Sequence, residues 1–212
     1  MENCASSGDL DGLKREMAVV SLDENAALAL SQLLVCAAEK GHLEIVKYLV
    51  SQGVDVTKLE GVLNIPAKEG HLDVVKYLVS RGANIRASND AALRKSADYG
   101  QLEVVKFSVE NGANVQADDD CALRWSAQNG HLEVVKYLVS QGANVNAKND
   151  AAMRMSATNG HLEVVKYLVS QGSNISAEHE YALRWAAPNN HMEVVKYLAS
   201  QGANITAMNQ SC

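Results

Sequence analysis

The apolar positions of this chain keep helical spacing along most of its length. After Gly130, Leu132, Val134, Val135, Leu138 and Val139 follow i, i+3, i+4 steps, while Glu133 and Lys136 stand three apart on the opposite, wet face. The pattern predicts an amphipathic helix, called helix B, ended by Gly142 in the left-handed conformation that glycine adopts without steric cost. Before Gly130, the run Ala122 to Gln128 sets Leu123, Ser126 and Ala127 on one stripe, which predicts a shorter helix A whose small residues let helix B approach closely. Asn-Gly pairs at 111–112, 129–130 and 159–160 signal hairpins only between alternating strands, and these flanks are helical. The pairs at 129–130 and 159–160 therefore read as helix–helix turns, and Asn111-Gly112 as a helix C-cap. The stretch Gly142 to Asp150 has no period and is rich in Asn and Asp, so it reads as an extended loop between units. Asp90, Asp120, Asp150 and Glu180 precede helix A; the aspartates fit N-caps, and all four suit the positive helix end.

This two-helix pattern is a repeat. The residue closing helix A falls at Gly8, Gly41, Gly70, Gly100, Gly130, Gly160 and Asn190, with spacings of 33, 29, 30, 30, 30 and 30. A second column, Gly53, Gly82, Gly112, Gly142, Gly172 and Gly202, follows twelve residues later, so twelve of the 14 glycines punctuate seven units. Residues 121–150 and 151–180 share 20 of 30 positions, which is duplication and not shared composition. The expected division of the single domain 1–212 is a cap repeat at 1–20, internal repeats at 21–53, 54–82, 83–112, 113–142 and 143–172, and a last repeat with tail at 173–212.

Helix, tight turn, helix and loop at about thirty residues, with GHLEVVKYLV and GAN, resembles the ankyrin repeat over nearly the whole chain. The resemblance implies an all-α solenoid of about seven stacked helix-turn-helix repeats, acting as a protein-binding scaffold and not as an enzyme. Ankyrin units usually run to about 33 residues; here the loss falls in the inter-unit loop, so the fingers projecting there should be short. The family's Thr-Pro-Leu-His opening of helix A is replaced by Ala-Ala-Leu-Arg at 91–94, Cys-Ala-Leu-Arg at 121–124, Ala-Ala-Met-Arg at 151–154 and Tyr-Ala-Leu-Arg at 181–184. This shortened pattern looks like the ankyrin paralogues of giant DNA viruses of amoebae.

The ends and two units depart from the frame. The opening unit has Val20 where the second glycine would stand, which suggests a truncated cap. Residues 18–33 repeat least, and Asp23 to Lys40 is expected to form one longer helix with Leu28, Leu30, Leu33, Leu34, Cys36 and Ala37 as its apolar set. Pro66 should kink or shorten the third helix A, and Pro188 should trim the last one. The final helix B keeps Met192, Val194, Val195 and Leu198 apolar, so the C-terminal face is either covered by residues 203–212 or is a contact surface.

Composition narrows the function. Of 212 residues 47% are hydrophobic and 21% charged, and the longest unbroken apolar run, Leu33 to Ala38, is too short to span a bilayer. A net charge of −6 disfavours nucleic acid, whose phosphates need a basic surface. No secretory leader pattern opens the chain, and Cys4, Cys36, Cys121 and Cys212 lack paired spacing. An intracellular, cytoplasmic setting with free thiols is expected, the host cytoplasm if the protein is viral.

No catalytic set emerges, because every Ser, His or Asp of interest belongs to a repeated column; no cofactor is expected. The column His42, His71, His131, His161 and His191 has the residue type of a metal site, but stacked helices lie about 8–10 Å apart and zinc ligands must come within about 2.1 Å. A turn histidine bonded to backbone fits better. Binding, by contrast, can be spread over columns. With about 100° per residue, Trp125, Gln128 and Asn129 point away from helix B, into what the family places as a concave groove. The equivalent positions are Cys36, Glu39, Lys40; Ile65, Lys68, Glu69; Lys95, Asp98, Tyr99; Met155, Thr158, Asn159; and Trp185, Pro188, Asn189, a stripe that changes between units while helix B stays nearly constant. Trp125, Met155 and Trp185 form either an apolar ladder for a partner or framework packing against Arg94 or Arg154. Arg94, Arg124, Arg154 and Arg184 sit four residues after Asp90, Asp120, Asp150 and Glu180, which predicts a solvated ion-pair ladder, or pairs that open to hold a charged partner. Tyr48, Tyr77, Tyr137, Tyr167 and Tyr197 read as inter-unit packing, and Asp118-Asp119-Asp120 as a solvated loop that could attract a basic peptide. The leading expectation is a scaffold for a protein or extended peptide in units four to seven. Self-assembly through the terminal faces, giving a homo-oligomer, is the alternative, and an enzyme stands third.

Overall fold

In a computed structural model that describes residues 1–18, 24–204 and 206, apart from the side chains of 24–26 and 179, fourteen α-helices form seven consecutive pairs, with no strand among the described residues. Unit one is α1 (Glu2–Ser7) and α2 (Leu10–Met17); unit two is α3 (Glu24–Glu39) and α4 (Leu43–Ser51); unit three is α5 (Asn64–Glu69) and α6 (Leu72–Ser80). Unit four follows as α7 (Ala87–Asp98) and α8 (Leu102–Glu110), unit five as α9 (Ala117–Gln128) and α10 (Leu132–Ser140), unit six as α11 (Ala147–Thr158) and α12 (Leu162–Ser170), and unit seven as α13 (Ala177–Ala186) and α14 (Met192–Ser200). First helices pack on first helices of neighbouring units, and from unit two onward second helices do the same. The readings made for Val20, Asp23, Cys212 and cover by residues 207–212 lie outside the described residues.

The predicted helix faces are the buried ones. Val134, Val135 and Leu138 of α10 and Leu123 and Ala127 of α9 are closed to solvent, as are their counterparts in most other units. Each such Leu contributes about 1.5–3 kcal/mol by leaving water. Ser126, also buried, donates its Oγ hydrogen to the Leu123 carbonyl at 3.1 Å, so the close approach of helix B leaves no unpaired hydroxyl. In unit three Pro66 takes that serine's place; α5 begins only at Asn64, which puts the proline in the first turn, where its missing N–H costs nothing. Pro188 has the expected effect, since α13 ends at Ala186 while α11 runs to the equivalent of residue 188. Leu28, expected in the apolar face of α3, is instead 63% exposed.

Both glycine columns end helices by the same device. His131 N–H bonds Ser126 O at 2.9 Å and Gly130 N–H bonds Ala127 O at 3.2 Å, while Ala143 N–H bonds Leu138 O and Gly142 N–H bonds Val139 O, each at 3.0 Å. These are Schellman closures with glycine left-handed, φ 78° at Gly130 and 91° at Gly142. The columns differ in their surroundings. A Cβ on Gly142 would meet nothing within 4 Å, whereas one on Gly130 would stand 2.5 Å from Nδ1 of His161. From unit two onward the histidine, or Gln101 in unit four, thus lies over the glycine of the unit before it, and His42 and His131 also bond carbonyls of that preceding unit, Ser6 and Asp98, at 3.0 Å through Nε2. Asn190, φ 62°, stands in this column only in unit seven, where among the described residues no following histidine occupies the hollow.

The loops between units differ from the extended form expected. After a turn closed by Ala147 N–H to Asn144 O at 3.1 Å, Lys148, Asn149 and Asp150 make one turn of left-handed helix, φ 52°, 55° and 58°. Ser88 to Asp90 and Asp118 to Asp120 do likewise. The left-handed region costs most L-residues about 1–2 kcal/mol each, and Asn and Asp least, which is why these positions are rich in both. Two bonding patterns offset the cost. The arginine of helix A forks back onto the turn: Arg124 donates from Nε to Asp119 O at 2.9 Å and from Nη2 to Asp118 O at 2.8 Å, as Arg94 and Arg154 do to their own turns. The carboxylate closing the turn reaches the next unit: Asp90, Asp120 and Asp150 accept the backbone N–H of Asn114, Asn144 and Asn174 at 3.1, 2.8 and 2.8 Å, and Glu180 that of Asn204 at 3.2 Å.

These residues are therefore staples between units and not N-caps, and the i, i+4 ion pairs expected with Arg94, Arg124 and Arg154 do not form. A positive φ at the aspartate turns its side chain toward the following loop, and the guanidinium is already spent on carbonyls. Arg94 pairs instead with Asp118 of the next unit at 3.3 Å, and Asp119 with Lys148 at 2.8 Å, so the Asp118–Asp120 run is a cross-linked edge and not a plain solvated loop. Burial pushes the Asp120 carboxyl above the ordinary aspartate range, while the bond from Lys148 holds Asp119 below it.

Two predictions follow from these contacts. Gly160→Ala should lower stability in urea unfolding clearly more than Gly172→Ala, because both strain a positive φ, about 1–2 kcal/mol, but only the first drives a methyl into the His191 ring. Equal losses would contradict the glycine–histidine contact. Asp120→Ala should cost about 1–3 kcal/mol by leaving Asn144 N–H unpaired, whereas Asp120→Asn keeps an acceptor and the tolerance of left-handed backbone. Since Asp120 is raised in the folded state, the native fold binds the extra proton between the unfolded and folded values, and ionisation above them weakens the native chain. The stability of Asp120→Asn relative to the native chain should accordingly rise with pH through that window and level off above it, as read from unfolding midpoints.

Candidate functional site

The stripe read as a groove is where the C-terminal halves of the first helices meet, and the structure gives its members different roles. The asparagines are partly tethers. Asn129 donates Nδ2 to Asp98 O at 3.0 Å and to Asp98 Oδ1 at 2.7 Å; Asn159 donates to Gln128 O at 3.1 Å, and Asn189 to Thr158 O at 3.1 Å. Each closes the carboxyl end of the preceding unit's first helix, so Asp98, Gln128 and Thr158 take part through their main chain, and Thr158 also turns its Oγ1 hydrogen to Arg154 O at 2.9 Å. In unit four Tyr99 replaces the asparagine; it is 51% exposed, with Lys68 Nζ 4.6 Å from its ring centre.

The column Lys95, Trp125, Met155 and Trp185 supplies the groove's bulk. The first three are half-buried and the last is 46% exposed. Arg94 stands 5.9 Å from the Trp125 ring centre, so the framework contact expected for that indole is present. Trp185 has no following unit in the described chain and packs instead on Tyr181 of its own helix, 5.9 Å away and tilted 39°. Arg154, a possible seat for an indole, lies over Tyr181 at 4.8 Å. Of the other named residues, Asp120 is buried, Arg124 and Arg154 have two guanidinium nitrogens bonded to loop carbonyls, and Arg184 is half-buried.

Two features of this surface escape the sequence. Tyr181 joins the aromatic group of unit seven, marked only by its bulk at a helix A position that is Ala or Cys in units four to six. A cleft of about 400 Å³ lined by Leu28, Ser31, Gln32, Val35, Cys36, Glu39 and Leu59 opens in the N-terminal half. Its signal is the breakdown of the repeat at residues 54–65, where a 3-10 turn, Val56–Lys58, replaces the left-handed one. Among the described residues no group of three or more His, Cys, Asp or Glu is placed to hold a metal ion, and no helix is long and apolar enough to cross a membrane. Cys4, Cys36 and Cys121 are free thiols.

Comparison with curated proteins gives no match in sequence. Among solved structures, the crystal structure of the human ASB11 ankyrin repeat domain aligns with a TM-score of 0.74 at 24% identity, over 81% of this chain and 84% of that one, a likeness of fold. The family described as ankyrin repeats (3 copies) matches at residues 3–89, 63–149 and 148–209. With helix pairs, paired glycines and short loops recurring across that same span, the chain belongs to the ankyrin repeat family.

Proposed function

We propose that the chain, one domain over residues 1–212, is a non-enzymatic cytoplasmic scaffold that holds a protein or extended peptide along units four to seven. Ankyrin repeats generally mediate protein–protein interaction. The finer reading rests on one observation: the tethers that order the stack run largely to main-chain atoms, which leaves the column Lys95, Trp125, Met155, Trp185 free to differ between units. From unit five onward the stripe of Trp125, Gln128, Asn129, Met155, Thr158, Asn159, Trp185 and Asn189 carries no charge, which suits a segment with apolar anchors and amide contacts. Lys95, Asp98 and Tyr99 add a polar, aromatic border, with Asp120, Arg124, Arg154 and Arg184 at its loop side.

Trp185 is the residue to test, because its exposure separates binding from folding. Trp185→Ala should leave the unfolding midpoint nearly unchanged while partner recovery by proximity labelling in the native cell falls about ten-fold or more, in line with interface tryptophans worth about 2 kcal/mol. Recovery of the same partners at the same level would refute the groove assignment.

A second reading has its own support. Met192 is 45% exposed, whereas Leu132 and Leu162 in its place are partly buried against the core, so unit seven exposes apolar side chain that a second copy could use. Light scattering decides: mass that grows with concentration and is lost in Met192→Glu supports self-association, and a strict monomer at high concentration excludes it.

A further inference from the structure

Irregularities that look scattered in sequence converge on unit four and on its junction with unit three. Leu49, Leu78, Leu138, Leu168 and Leu198 fill the centre of their units, but unit four has Ser108 there, fully buried, its Oγ donating to Val104 O at 2.8 Å. The core divides at this point. Ala92 and Val104 belong with the apolar cluster of units one to three, while Leu93, Ala97 and Val105 belong with that of units five to seven.

The loop edge of the same junction is unlatched. Glu60 stands 24 residues before Asn84, as the staple carboxylates stand before Asn114, Asn144, Asn174 and Asn204, yet it is exposed and makes no bond among the described residues. Asn64 takes the place of the forking arginine, and a cleft of about 370 Å³ opens between residues 57–64 and 84–88. On the turn edge the junction holds: Gln101, standing where most units have histidine, donates Nε2 to Lys68 O at 3.1 Å, and Lys68 lies over Tyr99.

We propose that unit four is the joint of the solenoid, a softened unit pinned at its turn edge and open at its loop edge, which divides the stack into two cooperatively folded bodies, units one to three and units five to seven. In a stack stabilised by nearest neighbours, loss of one central leucine and one staple at adjacent places puts the stability minimum there. Movement about the pinned edge widens or closes the cleft at residues 57–64, so the joint also sets the angle at which units one to three stand to the proposed groove.

Native-state hydrogen exchange on the whole chain tests this. Amides of α8 should exchange at least ten times faster than those of α10 and α12, and the Asn84 amide faster than the stapled amides of Asn114, Asn144 and Asn174. Ser108→Leu should bring α8 within about three-fold of α10. Leu138→Ser should speed α10 about ten-fold or more, to a rate near that of α8, an arm that stands even if leucine does not fit at residue 108. Protection of α8 equal to that of α10 in the native chain, or protection of α10 left unchanged by Leu138→Ser, would overturn the proposal.

Discussion

Each unit is too small to bury its own apolar face, so the whole structure depends on how one unit grips the next. The grip is mostly side chain to main chain. A histidine lies over the preceding glycine and in two units bonds a carbonyl beyond it; an asparagine closes the preceding helix; an aspartate reaches forward to the next loop's N–H. A main-chain partner is present whatever residue stands there, so these contacts recur unchanged while the outward column varies. Order in the stack and variety in the groove are consequences of one choice of bonding atoms.

The carboxylates and arginines on the loop edge show how this economy works. A left-handed turn built from Asp and Asn costs backbone energy, and in isolation it would relax. Arginine from behind and the next unit from ahead fix it, and the exposed pairs Arg94–Asp118 and Asp119–Lys148 run along its outer side. On the outer face of the second helices, Glu133–Lys136 and its equivalents at 2.7–2.8 Å are exposed pairs that water and salt screen. The staples to Asn114, Asn144 and Asn174, by contrast, are partly hidden from water.

The sequence carries whatever is local. Helix B, its glycine closure, the shortening at Pro66 and the seven-fold repeat all follow from spacings within a few residues. The staples do not, because Asp120 finds its partner 24 residues away and its local sequence is equally good for an N-cap. The left-handed turn was hidden for a related reason: an Asn- and Asp-rich stretch without period fits an irregular loop as well as an ordered one. Trp125 and Trp185 have near-identical surroundings in sequence and different exposure, since a neighbouring unit helps cover the first, while among the described residues no following unit covers the second. Leu28 lies in the helix that the sequence predicts, but on its open side.

The constant offsets of these contacts bear on how such a chain can change length. Every staple spans 24 residues and the asparagine tethers span 31, and both count forward from one unit to the next at a step of 30. A recombination event that inserts or removes thirty residues among units five to seven returns every donor to an acceptor of the same kind; the histidine seat tolerates other steps too, since His71 lies over Gly41 at a step of 29 and His42 over Gly8 at a step of 33. Such a chain can therefore lengthen or shorten its stack in whole units at little cost to folding, and each new copy arrives with its variable stripe facing the same way as the others and free to diverge.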